Sequence, residues 1–274
     1  MNSNEVNQLK DKSKHIRRLT MKELGNIGVG HVGGCLSIVE ALVVLYYKEM
    51  NIDPSNPDMP GRDRFILSKG HAGPALYAVL ADRGYFDISL LDTLNQPGTS
   101  LPSHCDMLRT KGIDMTAGSL GQGISCAVGM AKASKILKDG ARIYCMIGDG
   151  ESQEGEVWEA AMAAAHFKLD NLTVFTDCNK LQIDGTTREV MSLDPLCGKW
   201  ESFGWNVIDV KDGHAIEEIH AAITAAKSNT GKPSMILLNT VKGKGVSFIE
   251  AMGAKNHNTP ISGEQTILAL KELE

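Results

Sequence analysis

Two segments carry residue types able to hold a divalent cation and a diphosphate: Gly148-Asp149-Gly150 and Asn179, each placed just after an apolar run. A residue in that position lies at the carboxyl end of a strand, and open α/β sheets bind their ligands there. Neighbouring strands run about 4.8 Å apart, and adjacent ligands of an octahedral magnesium ion, each about 2.1 Å from the metal, lie roughly 3 Å from one another. Asp149 and Asn179 can therefore share one ion. A carboxylate and an amide, completed by a backbone carbonyl, form an all-oxygen set of the kind that suits Mg²⁺ rather than zinc and leaves positions for phosphate oxygens. Gly150 lets backbone N–H groups approach a diphosphate at the start of the following helix. Taken alone, a Gly-Asp-Gly is equally compatible with a tight strand-to-helix turn beside an unrelated asparagine.

The wider context separates these readings. The segments GDGESQEG (148–155) and DCNKLQIDG (177–185), with Asp149 and Asn179 thirty positions apart, resemble the thiamine diphosphate signature. Three more segments narrow the resemblance to transketolase: GVGHVGG around His31, RDRFILSKGHAGPALYAVLADRGY around His71, and SHCDMLRTKGIDMTAGSLGQGISCAVGMA with His104. The resemblance runs from about Gly25 to His257 and corresponds to the N-terminal, diphosphate-binding domain of a full-length transketolase.

Carried over position by position, the resemblance implies Asp149, Asn179 and the Leu181 carbonyl as ligands of Mg²⁺, with Ca²⁺ or Mn²⁺ as substitutes. It sets Gly148, Gly150, Glu151 and His71 near the diphosphate, and Gly118 and Leu120 beside the aminopyrimidine and thiazolium rings. His31, His71, His104 and His257 would surround the reactive carbon and the sugar hydroxyls, and Glu154 would join a carboxylate relay across a subunit interface. Histidine suits that task because it donates, accepts and exchanges protons near neutral pH. His257 is followed by Asn258-Thr259-Pro260 where the family has His-Gly, a small residue and Pro, and Ser103-His104-Cys105 replaces Gly-His-Pro. His15, His166, His214 and His220 match no motif and lie on predicted helices or their starts, so they are assigned to surface or packing.

The resemblance further implies transfer of a two-carbon ketol unit between a ketose and an aldose, usually phosphorylated. The cofactor serves as electron sink, and the glutamate that activates it belongs to a pyrimidine-binding domain with no counterpart here. A C-terminal transketolase subunit is thus the expected partner, in an α2β2 complex, and this chain alone is expected to be inactive. Two alternatives are a subunit of another thiamine enzyme, resembling deoxyxylulose phosphate synthase or a 2-oxo acid dehydrogenase, and a non-catalytic scaffold that kept the fold.

These residues need a framework of alternating strands and helices. Helical periodicity covers residues 5–24 and continues from about Leu36 to Met50. Short apolar runs at Phe65–Leu67, Arg142–Ile147, Leu172–Phe175, Asn206–Val210 and Ser234–Leu238 read as strands, and the segments opening at Gly70, Gly121, Glu156 and Ala215 read as helices. This alternation predicts an α/β fold, a doubly wound and mainly parallel sheet with helices on both faces, in one domain over 1–274. The stretch after Gly245 reads as a loop before a short terminal helix. Gly28-Val29-Gly30-His31-Val32-Gly33 satisfies the dinucleotide fingerprint on paper, with Asp53 twenty residues beyond, but helical periodicity precedes it where a strand is required.

With 274 residues, 42% hydrophobic and 22% charged, the chain has the composition of a globular enzyme rather than of a disordered segment. A net charge of −5 without basic runs excludes an electrostatic footprint for nucleic acid. Six cysteines without CxxC spacing suit reduced thiols in the cytoplasm. A polar N-terminus and the lack of any long apolar run give no expectation of export or of a membrane span.

Overall fold

The computed structural model describes residues 1–274. Five strands, β1 (Arg64–Leu67), β2 (Ile143–Gly148), β3 (Leu172–Cys178), β4 (Asn206–Val210) and β5 (Ser234–Asn239), form one sheet in the order β1-β2-β3-β5-β4. Every pairing in it is parallel. Parallel neighbours require crossover connections, and helices supply them: Gly73–Asp82 and Gln122–Leu137 between β1 and β2, Gly155–His166 between β2 and β3, and Ile216–Ser228 between β4 and β5.

Side chains alternate along each strand between two faces, so each apolar strand feeds two cores. On one face Phe65, Leu67, Tyr144, Met146, Phe175, Ile236 and Leu238 pack against the N-terminal helix Ser3–Ile27, the segment 32–46 and the helices Gly73–Asp82 and Ile216–Ser228. On the other, Ile66, Cys145, Ile147, Val174, Met235 and Leu237 meet the helices Gln122–Leu137 and Gly155–His166 and the indoles of Trp200 and Trp205. The predicted doubly wound architecture is therefore borne out.

The N-terminal helix starts in a capping box, with the Asn2 side chain accepting from the Glu5 N–H and Glu5 accepting from the Asn2 N–H. It stops at Gly28, whose φ of +78° is a left-handed conformation that favours glycine. A helix, not a strand, thus precedes the Gly28–Gly33 fingerprint. Glu23 on this helix is 1% exposed, near Cys35 and Tyr77, and both of its carboxylate oxygens lack a hydrogen-bond partner. Burial pushes its pKa well above the usual carboxylate range. A raised folded pKa means the penalty is absent below the unfolded value near 4.5 and grows as pH rises above it. Glu23→Met is accordingly expected to stabilise the chain by about 1–3 kcal/mol at pH 8, with a smaller gain near pH 5. Thermal unfolding at the two pH values checks this, and equal shifts would contradict it.

Two expectations need correction. The helical stretch expected from about Leu36 to Met50 is broken near its start: the short helix Val32–Leu36 ends there, and Val39–Val44 then runs without interruption into one π-helical turn at Leu45–Glu49. The break falls at Ser37, whose hydroxyl bonds the Gly34 carbonyl at 3.2 Å and the Asp177 carboxylate at 2.7 Å, competing with the helical ladder. The stretch after Gly245 is not a loop: it contains the helix Ser247–Ala251, a tight turn at Gly253–Asn256, and Thr259–Pro260 paired antiparallel with Val29–Gly30. Elements this short carry no periodicity, and the partner strand lies more than two hundred residues away in sequence.

Candidate active site

The carboxyl ends of β1, β2, β3 and β5 deliver Ser68-Lys69-Gly70-His71, Gly148-Asp149-Gly150, Asn179-Lys180-Leu181 and Thr240-Val241-Lys242 to one edge of the sheet. A cavity of about 200 Å³ opens there, with Asp149, Asn179 and Leu181 in its wall. Asp149 lies one residue past β2 and Asn179 one residue past β3, and these strands are hydrogen-bonded neighbours.

The Asp149 carboxylate accepts from the N–H groups of Gly150 at 2.8 Å and Lys180 at 2.5 Å. Burial, and next the nearby Asp177 carboxylate, push its pKa up to about 7. Such a group is under-compensated, and a divalent cation would relieve it. The Asn179 amide donates to Asp177 at 3.0 Å, and its oxygen accepts from the Leu181 N–H at 3.1 Å, which keeps one lone pair available. No group of three His, Cys, Asp or Glu side chains could hold a metal anywhere in the chain, so a zinc-type donor set is absent. One carboxylate, one amide oxygen and one carbonyl fit a hard cation that keeps positions for phosphate oxygens. A Cβ at Gly150 would come within 3.0 Å of the Gln182 side chain, so the close approach of this turn depends on glycine.

Asp177 and Lys69 underlie this cavity, and sequence reasoning missed both. Asp177 is fully buried and accepts from Lys69 Nζ at 2.5 Å, Ser37 Oγ at 2.7 Å, Asn179 Nδ2 and Thr240 Oγ1. Burial raises its pKa, but the Lys69 ammonium and these donors outweigh burial and hold it below the usual range. Lys69 also bonds the Gly34 carbonyl at 3.1 Å and reaches the cavity wall. The available signal was local: Lys69 precedes His71 by two residues, and Asp177 precedes Asn179 by two.

The four nominated histidines come together from four separate segments. His31 has ring centroids 5.2 Å from His71, 5.8 Å from His104 and 5.3 Å from His257, and His71 is 5.0 Å from His257. His71 and His257 line the metal-side cavity, and His71 is shared with a second space of about 180 Å³ that His31 also lines. Burial lowers the pKa of each. His104 and Lys242 add to the effect at His31, Lys69 at His71, and Lys242 at His257, which falls to about 4. All four are neutral at pH 7, so each ring offers one donor and one acceptor.

The remaining nominees behave differently. Leu120 and Gly148 line the cavity, whereas Gly118 is exposed and outside its wall. Glu151 lines it too, yet its carboxylate turns to its own protein, accepting from Ser68 Oγ, from Gly121 N–H at 2.9 Å and from Gly148 N–H at 3.0 Å. It therefore brackets three loops together. Glu154 is exposed at the cavity rim, at the start of the helix Gly155–His166. Among the histidines set aside, His15 pairs with Asp82 and His220 with Glu49, and His166 is exposed. The His214 ring packs against Glu40 and accepts from the Val241 N–H at 2.8 Å. Lys242, next in the chain, was also missed; its motif-free segment gave no signal.

Residues 9–273 match the family described as transketolase, thiamine diphosphate binding domain. The chain is 59% identical to the 6-deoxy-6-sulfo-D-fructose transketolase subunit of Clostridium sp. (strain MSTE9), covering 97% of this chain and 96% of that protein. It is 38% identical to an apulose-4-phosphate transketolase subunit of Phocaeicola vulgatus, covering 98% and 95%. The solved transketolase from Leishmania mexicana superposes with a TM-score of 0.90 at 31% identity, over 95% of this chain and 40% of that one. The chain thus spans nearly all of the separate subunits and about two fifths of the single-chain enzyme. A family match over almost every residue, joined to a cavity at the carboxyl edge of a parallel sheet, makes this chain a transketolase subunit: it belongs to the transketolase family of transferases and forms its thiamine diphosphate-binding domain.

Proposed function

We propose that this chain binds thiamine diphosphate with Mg²⁺ and, joined to a C-terminal transketolase subunit carrying the pyrimidine-binding half, transfers a two-carbon ketol unit from a ketose to an aldose. The observation that carries this reading is the juxtaposition of the Asp149–Asn179–Leu181 wall with the four-histidine cluster across His71 and His257. Thiamine diphosphate, when bound, supplies the electron sink for carbon–carbon cleavage. Asp149, Asn179 and the Leu181 carbonyl hold the metal, with Ca²⁺ or Mn²⁺ as substitutes. The backbone at Gly150 meets the diphosphate. Neutral His31, His71, His104 and His257 orient the sugar hydroxyls and move protons between them. Exposed Glu154 faces the partner, and the assembly is an α2β2 complex in the cytoplasm. Gly118, exposed in the single chain, reaches the cofactor only when that partner completes the site.

The two relatives named above act as transketolase subunits on a sulfo-fructose and on apulose 4-phosphate. The higher identity to the first makes 6-deoxy-6-sulfo-D-fructose the first donor to offer, followed by ketose phosphates. The test mixes this chain with its co-purified partner, donor, an aldose phosphate acceptor, thiamine diphosphate and Mg²⁺. Ketose consumption that requires both chains and both cofactors is expected. Turnover by either chain alone, or none by a verified complex over a broad ketose panel, would overturn the reading.

A further inference from the structure

We propose that the space of about 180 Å³ beside His31 and His71 is a subsite for the uncharged, hydroxylated carbon chain of the sugar, and that Ser103 and Asn258 set its specificity. The proposal rests on the preceding functional reading for the class of ligand, and on geometry alone for the site. No Lys, Arg, Asp or Glu side chain lines this space, whereas the metal-side cavity carries Lys69, Lys242, Asp149 and Glu151. A phosphate or sulfonate placed here would lose hydration without meeting a counter-charge, which is costly. Hydroxyl groups meet the opposite case. Asn95 and Asn258 each offer two N–H donors and a carbonyl acceptor, and the Ser103 hydroxyl both donates and accepts. Leu24, Pro74 and Leu94 supply an apolar wall against which the C–H groups of a sugar can lie. Neutral donors and acceptors beside an apolar surface select a polyol segment and leave the anionic end of a substrate outside.

Three separate segments bring these groups together. Asn95 adopts the left-handed conformation, with φ at +55°, which asparagine tolerates better than most residues. Its N–H donates to the Leu101 carbonyl at 2.8 Å and closes the turn that leads to Ser103. The Pro102 carbonyl accepts from the Tyr77 hydroxyl at 2.8 Å and the Cys105 carbonyl from the Ala117 N–H at 3.1 Å, so Ser103 is anchored on both sides. Its Oγ lies 3.3 Å from Nδ1 of His104, and a hydroxyl engaged there keeps a further lone pair for a ligand. Asn258 is held close to His31 because its neighbour Thr259 pairs with Gly30 in the short antiparallel ladder. Asn95 and Asn258 are exposed, and their side chains make no hydrogen bond within the chain, so their full capacity is open to a ligand. Ser103 and Asn258 are also the positions where the two histidine motifs of this chain depart from glycine, so both polar groups are additions to the pattern. His71 lines both cavities, and the space therefore continues directly from the metal side.

Acceptors that differ in hydroxyl number and charge test this in the complex with the partner chain: glycolaldehyde, D-erythrose and D-erythrose 4-phosphate, with wild type, Ser103→Ala, Asn258→Ala and the double variant. Loss of one hydrogen bond to a sugar hydroxyl is expected to lower kcat/KM for D-erythrose about fivefold in each single variant, mainly through KM, and to change glycolaldehyde by less than about twofold. D-Erythrose 4-phosphate should lose the same factor as D-erythrose, because its phosphate lies outside the subsite. An unchanged D-erythrose value in the double variant overturns the proposal, and so do equal losses for glycolaldehyde and D-erythrose, which would mark a structural effect. A loss confined to the phosphate ester would make the space an anion site and overturn its uncharged character. A second readout needs no turnover: saturation-transfer NMR with xylitol, an unreactive polyol, should show binding that the double variant weakens and inorganic phosphate does not displace. Xylitol that fails to bind the wild-type complex, or binds the double variant equally well, removes the subsite. If xylitol binding depends on Ser103 and Asn258 while the wild-type complex turns over no ketose, the functional reading has failed and the subsite stands.

Discussion

Asp149→Ala is expected to abolish the stabilisation of this chain by thiamine diphosphate and Mg²⁺ while leaving the ligand-free protein at least as stable as the wild type. Two observations combine here. The Asp149 carboxylate is the one acidic side chain in the proposed metal set, so removing it takes away the charge that holds the cation, and affinity is expected to fall by more than a hundredfold. In the ligand-free fold the same carboxylate is buried near Asp177, with its pKa pushed up to about 7 by burial and by that neighbour, so its loss relieves an electrostatic penalty. A ligand at a hundred times its dissociation constant adds about 2.7 kcal/mol to the native state. The wild-type complex should show that shift in thermal unfolding, and the variant should show none. A variant that keeps the ligand-induced shift would remove Asp149 from the metal set. One that collapses without ligand would make it a structural residue instead.

Lys69→Met is expected to be the most destabilising single change in the site. Lys69 and Asp177 are 2% and 0% exposed, and their ion pair is 2.5 Å long. Removing one member of a buried pair leaves an uncompensated charge and costs about 3–5 kcal/mol, which for a chain of this size lowers the unfolding midpoint by roughly 10 °C. Asp177→Asn added to Lys69→Met removes the orphaned charge, and an amide still accepts from Ser37 Oγ or Thr240 Oγ1, so the double variant should recover a large part of the loss. Differential scanning calorimetry of the two variants measures both terms. A Lys69→Met protein that unfolds within a degree of the wild type would mean Asp177 is stabilised by its hydroxyl and amide donors alone. Cofactor binding should fall with Lys69→Met even below the unfolding transition, because Asp177 also orients the Asn179 amide.

The positions of strands and helices were legible because apolar periodicity reports burial directly. The run at Asn206–Val210 coincides with β4, and the runs at Phe65, Arg142, Leu172 and Ser234 each match a strand to within a few residues. Strand β3 extends beyond its predicted end through Thr176 and Asp177, whose polarity hides full burial: the fold supplies Lys69, Ser37 and Thr240 as partners, and no local pattern announces them.

By itself the sequence determined the alternation that makes a parallel sheet, the placing of Asp149 and Asn179 at strand ends, and the motifs that single out His31, His71, His104 and His257. Each of these is written in neighbouring residues, as a period or a motif. Only the tertiary structure decided that Glu151 turns inward to brace Ser68, Gly121 and Gly148, that Glu23 lies buried without a partner, and that Arg17, Glu40 and His214 reach the segment carrying Lys242. Those outcomes depend on groups up to 227 positions apart in the chain. Whether a charged side chain becomes a solvated surface group, an orphan or a ligand is set by what the fold brings to within about 3 Å of it, and spacing along the chain does not encode that distance.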